Sequence, residues 1–287
     1  MKLKEKIISI IMFFILILII CSSHSYAGNQ EWESLNYDVT LNSDGSMDVV
    51  ETWNVSIEET NTLFKQFSTR NMPELSFSDI SVSQVDDYGE EIKMTNINKE
   101  QYHVDPGCFY GLMVNSNTFE IAWHVGLDDS YDTRVYKIYY TVENAVRVYD
   151  DCAELYWQFL SDENTMQGKN ITGKITLPQE VKDIDNLKVW AHGSLTGEIS
   201  RDSEDTVSFK LPRIYSNEML EVRVLTTENI YEDSTNIYSQ ARLDEILEEE
   251  QLNADRANEE REEARKEMQK VIIGNIIGLR NNCDNCI

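Results

Sequence analysis

From about residue 32 to residue 226, apolar side chains recur at every second position. That period belongs to a strand with one dry face and one wet face, and a helix cannot satisfy it. Leu35, Tyr37, Val39 and Leu41 alternate with Asn36, Asp38, Thr40 and Asn42, and after Asn42-Ser43-Asp44-Gly45-Ser46 the pattern resumes with Val49, Trp53, Val55 and Ile57. Two such runs around Asp-Gly read as a hairpin. The same phase returns at Phe119, Ile121, Trp123 and Val125, at Tyr136, Ile138, Tyr140 and Val142, and at Leu155, Trp157 and Phe159. It continues through Ile175 and Leu177, Val207, Phe209 and Leu211, and Leu220, Val222 and Val224, with Pro178 and Pro212 closing strands. Many short strands without helices between them predict an all-β fold, an antiparallel β-sandwich. The polar stretch 164–169, which contains Gly168, is a candidate boundary between two stacked β units inside a domain spanning 28–235.

The period changes after Ser239. Residues 241–270 hold no Gly or Pro and are rich in Ala, Leu, Glu, Arg and Lys, which predicts a C-terminal α-helical stalk over about 240–270. Its apolar stripe is thin: Leu243, Ile246 and Leu247, then Ala254, Ala257, Ala264 and Met268. With 11 acids and 6 bases, that helix reads as a solvated spacer rather than a coiled coil. It runs into Val271-Ile-Ile-Gly-Asn-Ile-Ile-Gly-Leu279 and a polar tail, 271–287, whose nine apolar-segment residues rise about 14 Å as helix against roughly 30 Å of hydrocarbon. Too short to span, it reads as a membrane anchor cut short.

The other end carries an address. Lys2, Lys4 and Lys6 precede an apolar run from Ile7 to Cys21, and Ser25-Tyr26-Ala27 is a small-x-small site. Residues 1–27 therefore read as a secretory signal peptide, which places the protein at the outer membrane face or in the medium. Taking its three lysines and one glutamate from 25 basic and 51 acidic residues leaves 22 and 50, net −28. Such a surface repels nucleic acid and favours cationic partners and solubility. Outside the cytosol Cys108 and Cys152 could form a disulfide. Cys283 and Cys286 make a C-x-x-C too sparse for zinc, and no βαβ pattern surrounds it to suggest a redox fold.

Candidate chemistry is thin. Asn42, Asp44, Gly45, Asp48 and Glu51 fall at calcium-loop offsets, but Thr40 holds the first ligand position and the flanks are strands, so a hairpin turn explains them better. Asp150, Asp151 and Glu154, or Asp128, Asp129 and Asp132, could supply paired carboxylates for glycoside hydrolysis, although a chain so acidic contains such neighbours by chance. Of the histidines beyond the leader (His103, His124 and His192), His124 lies opposite the core phase, and His192 precedes Gly193 in a turn-like stretch, where a hydrogen bond to backbone is expected. Trp53, Trp123 and Trp157 sit on core phases, while Trp32 and Trp190 are not fixed by pattern. No nucleophile elbow or phosphate loop occurs, and no cofactor or metal is expected.

Several runs are shared with a known family: Tyr139-Tyr-Thr-Val-Glu-Asn-Ala-Val-Arg-Val-Tyr-Asp-Asp-Cys-Ala-Glu-Leu-Tyr-Trp157, Val189-Trp-Ala-His-Gly-Ser-Leu-Thr-Gly-Glu-Ile199, Leu220-Glu-Val-Arg-Val224 and Ile246-Leu-Glu-Glu-Glu250. Asp44-Gly45 with Glu51 fits the same early hairpin. Over roughly 32–270 the chain resembles the bacterial predicted-membrane-protein family catalogued as domain of unknown function 2207. The resemblance implies an extracytoplasmic β domain followed by a membrane helix, and it implies no catalytic residues. The expected function is a non-catalytic surface domain that binds or scaffolds at a membrane, with an unidentified protein or cell-envelope glycan as partner. The alternatives are a carbohydrate-binding module and a cell-wall glycan hydrolase.

Overall fold

The computed structural model describes the backbone of residues 30–70, 74–102, 107–126 and 131–284, and their side chains as far as residue 270. The leader read over 1–27 lies outside the described residues, as do Asp128, Asp129 and His103 and the side chains of Cys283 and Cys286.

The Asp-Gly turn closes as its chemistry requires. Gly45 takes φ +81°, and the Asp44 carboxylate accepts from the Ser46 amide at 2.9 Å and from its hydroxyl at 2.7 Å. The turn joins β1 (Gln30–Leu41) to β2 (Met47–Glu58), which pair antiparallel with Val39 opposite Val49. These two strands sit near the centre of an eight-stranded sheet. On the β2 side follow β9 (Tyr131–Glu143), β4 (Ser76–Val85) and β5 (Glu91–Lys93). On the β1 side follow β12 (Gln167–Thr176), β15 (Thr206–Ile214) and β14 (Glu198–Arg201). Every ladder in this sheet is antiparallel except β1 with β12, which is parallel.

Two smaller sheets face it. One contains, in order, β13 (Leu187–Gly193), β16 (Leu220–Thr226), β11 (Ala153–Leu160), β10 (Val146–Tyr149) and β17 (Ile237–Tyr238). The other contains β3 (Thr62–Ser68), β8 (Thr118–His124), β7 (Cys108–Asn115) and β6 (Thr95–Asn96). A shared core fills the space between the layers, and aromatic contacts stitch it across. Trp53 meets Trp123 at 5.1 Å, Tyr37 meets Phe159 at 4.7 Å, and Phe67 meets both Tyr140 at 5.1 Å and Trp157 at 6.1 Å. The architecture is the expected β-rich sandwich, and the alternation locates its interior: every apolar position read as inward is buried. Trp32 also joins the core, against Trp53 at 5.1 Å, whereas Trp190 is only half-buried.

Three expectations change. Residues 164–169 do not open a second β unit: they lead into β12, which hydrogen-bonds β1 in the same sheet and contributes to the same core. The pairing of Cys108 with Cys152 is not made. Cys152 is an unbonded thiol packed with Leu225 and Ile246 on the outside of the five-stranded sheet, while Cys108 lies with Tyr102, Tyr110 and Ala122 on the four-stranded one. Finally, the C-terminal helix does not stop near residue 270. It runs as α1 from Leu243 to Asp284, through the apolar segment that follows the stalk despite its β-branched residues and two glycines. No helix among the described residues is long and apolar enough to cross a membrane.

Candidate functional site

The strongest chemistry lies where α1 meets the five-stranded sheet. Strand β16 buries both faces from Val222 to Thr226, since its inner face meets the core and its outer face carries the helix. Arg223, between Val222 and Val224, therefore points outward yet is only 4% exposed. Its Nε lies 2.9 Å from Glu154 Oε1 on β11, a charge contact made without hydrogen-bond alignment. Nη1 donates to Glu250 and Nη2 donates to Glu249 at 3.2 Å, both on α1, while the guanidinium stacks 4.0 Å over the Tyr156 ring. Burial pushes the Glu154 carboxyl above its usual range, against the pull of Arg223.

His192 completes the cluster and corrects the turn expected there. It stands on β13, with Nδ1 3.2 Å from Glu221 on β16 and Nε2 2.8 Å from Glu250. Hydrogen bonds to Glu221 and Glu250 raise its pKa from 6.5 to about 9. A histidine held up in this way stabilises the fold fully below its unfolded value and loses that contribution as pH rises through the folded one. Melting of wild-type and His192→Gln chains should thus differ most below about pH 6.5 and converge as pH passes about 9. A gap that persisted in alkali would refute the assignment.

The helix start is fastened by a residue far away in sequence. Asp151 Oδ1 accepts from the Arg242 amide at 2.8 Å and from the Leu243 amide at 3.3 Å, so a carboxylate of the sheet caps α1. Burial opposes its ionisation, but those two backbone donors prevail and lower its pKa. Asp151→Ala should cost about 0.5–2 kcal/mol and speed amide exchange at Arg242 and Leu243 in hydrogen-exchange measurements. Unchanged exchange would refute the cap. From Gln251 to Lys270 the helix side chains are exposed, apart from half-buried Asn253 and Ala257.

Between this half-free stretch and the sheets runs a groove of about 670 Å³, walled by Trp190, His192 and Ile199 on one side and Ala254, Ala257 and Arg261 on the other. Sheet and helix side chains line it together.

A second polar cluster sits inside the core. Glu51 is fully buried on β2 and receives Tyr140 OH on Oε1 and Trp53 Nε1 on Oε2, each at 2.7 Å. Lys65 Nζ from β3 lies 3.3 Å from Glu51 Oε1, and it donates to Tyr37 OH at 3.3 Å and to the Phe159 carbonyl. Burial lowers the Lys65 pKa, while Glu51 works the other way.

Of the carboxylates weighed for hydrolysis, three have structural partners: Asp151 caps α1, Glu154 faces Arg223, and Asp132 holds Arg134 at 2.7 Å. In the hairpin, Asp48 accepts from Asn42 and Thr141 and Glu51 turns inward, so the calcium-loop positions do not converge. Among the described residues no three acids, histidines or cysteines stand placed for a metal. His124 is half-buried, with its ring edge-on to Tyr102 at 5.7 Å, instead of facing open solvent.

A family model for the N-terminal domain of predicted membrane proteins, domain of unknown function 2207, matches residues 31–226. No curated protein matches the chain. Three solved structures share parts of the chain trace. They are a candidate protease from Parabacteroides distasonis (14% identity, TM-score 0.41, 70% of this chain and 40% of that one), leukotriene A4 hydrolase from Saccharomyces cerevisiae (9%, 0.41, 72% and 31%) and an M1 zinc metallopeptidase from Deinococcus radiodurans (9%, 0.32, 68% and 42%). The chain spans less than half the length of each, and at these scores the likeness assigns no activity.

Proposed function

The chain belongs to the predicted-membrane-protein family of domain of unknown function 2207, and on that premise we propose that its β body is a non-catalytic, extracytoplasmic surface domain that binds or scaffolds at a membrane face. The observation that carries this reading is the junction of α1 with the sheet. Asp151, Arg223, Glu154, His192 and fully buried Ile246 tie the first two turns of the helix to the sheet. A rigid head on a long helix suits a module that presents a surface at a set height and angle. The groove beside the helix is the surface so presented.

Two measurements test it. Purified chain incubated with cell-wall glycan and peptide should release no product, and turnover abolished by Glu154→Gln would replace the reading with hydrolysis. Tyr88, 92% exposed, is the position for a Tyr88→Cys reporter. In intact cells it should react with a membrane-impermeant maleimide, and reaction only after lysis would overturn the extracytoplasmic placement.

A further inference from the structure

A lysine and a glutamate each lose several kcal/mol of hydration when buried, so an ion pair in an apolar core is a strained bargain. Glu51 and Lys65, 0% and 6% exposed, are enclosed by Tyr37, Trp53, Phe67 and Tyr140. We propose that Lys65 and Glu51 condense to an internal amide, a covalent bond from Nζ to Cδ that ties β3 to β2 and so joins the four-stranded sheet to the eight-stranded one.

The surroundings supply what that condensation needs. Nζ stands 3.3 Å from Oε1, within reach of the carboxyl carbon in a setting where neither side chain can drift away. Burial lowers the Lys65 pKa, which favours the neutral amine and leaves its nitrogen nucleophilic. Tyr37 OH and the Phe159 carbonyl accept from Nζ, which keeps its N–H bonds turned aside and its lone pair free for Cδ. Tyr140 OH and Trp53 Nε1 donate to the two carboxyl oxygens at 2.7 Å and stabilise the charge that gathers there as the tetrahedral carbon forms. The Nζ–Cδ bond forms and one Cδ–O bond breaks. Its electron pair leaves with oxygen, which takes two of the three ammonium hydrogens and departs as water, and the amide keeps the third. No oxidant or second substrate enters, and both buried charges disappear.

Intact-mass spectrometry of the whole chain, denatured after purification and with its N-terminus determined in the same digest, should give a mass lower than the sequence by one water. Proteolysis should yield a branched peptide joining the Glu51 and Lys65 segments. Lys65→Met and Glu51→Leu chains should each show their full sequence mass. Tyr140→Phe, which keeps the ring and removes the donor, should give a mixture of the two masses when freshly made. A wild-type chain that keeps its full mass after prolonged incubation in the folded state overturns the proposal, whatever the variants do. A branch through any other pair of residues overturns it as well.

Discussion

Arg223→Met should cost the chain about 3–5 kcal/mol and release the first turns of α1 from the sheet. The size follows from what the substitution leaves behind. Glu154 and Glu250, each 2% exposed, would lose the guanidinium they share, with His192 left beside Glu250 and the Tyr149 hydroxyl beside Glu154. An unpaired carboxylate in such a place is far costlier than the pair is favourable. Methionine fills much of the lost volume, so the deficit reads the charge and not a cavity. Urea unfolding supplies the number, and exchange of the Ile246 amide, bonded to the Arg242 carbonyl at 3.0 Å, reports the helix. Adding Glu154→Gln and Glu250→Gln to Arg223→Met should recover most of the loss. A single variant within about 1 kcal/mol of wild type would mean that water already solvates these carboxylates and that the junction is loose.

Trp53→Ala should cost a similar amount, about 3–5 kcal/mol, by a different route. Trp53 is 1% exposed and lies between Trp32 and Trp123, both 5.1 Å from it at interplanar angles of 83° and 75°. Truncation opens a cavity that touches both layers, and it also takes the indole donor away from Glu51. Trp53→Phe separates the two effects. It keeps an aromatic ring and removes the N–H, so its cost should fall to about 1–3 kcal/mol, the penalty of a buried acceptor losing a partner. If both substitutions proved equally harmful in denaturant titrations, the hydrogen bond and not the packing would govern this part of the core.

The architecture was legible because the body rests on an alternation of apolar and polar residues, and Leu35 to Leu41 or Tyr136 to Val142 have no second way to hide. The parallel ladder between β1 and β12 was not, since a local pattern says which face is dry and nothing about which strand lies alongside. The charged clusters left a trace that periodicity alone passes over. Glu51 falls on the inward phase between Val49 and Trp53, and Lys65 on the inward phase between Leu63 and Phe67. A charge on an inward phase calls for a partner, and two such positions on neighbouring segments invite pairing with each other. Arg223 was hidden differently. It occupies the outward phase, where arginine is ordinary, and only the docking of α1 makes that face an interior. The same event buried Cys152 away from Cys108 and drew His192 out of an assumed turn.

Strand β1 is flanked by β2, which follows it at once, and by β12, whose pairing partners run from Gln167 to Thr176. A ribosome or a translocation channel delivers these pieces far apart in time. Until residue 176 emerges, β1 carries an open row of amide and carbonyl groups beside an apolar face, the form most prone to pair with a stranger. A chain clipped anywhere ahead of β12 would keep that row open for good, so loss of residues 167–287 should yield aggregates and not a smaller soluble domain.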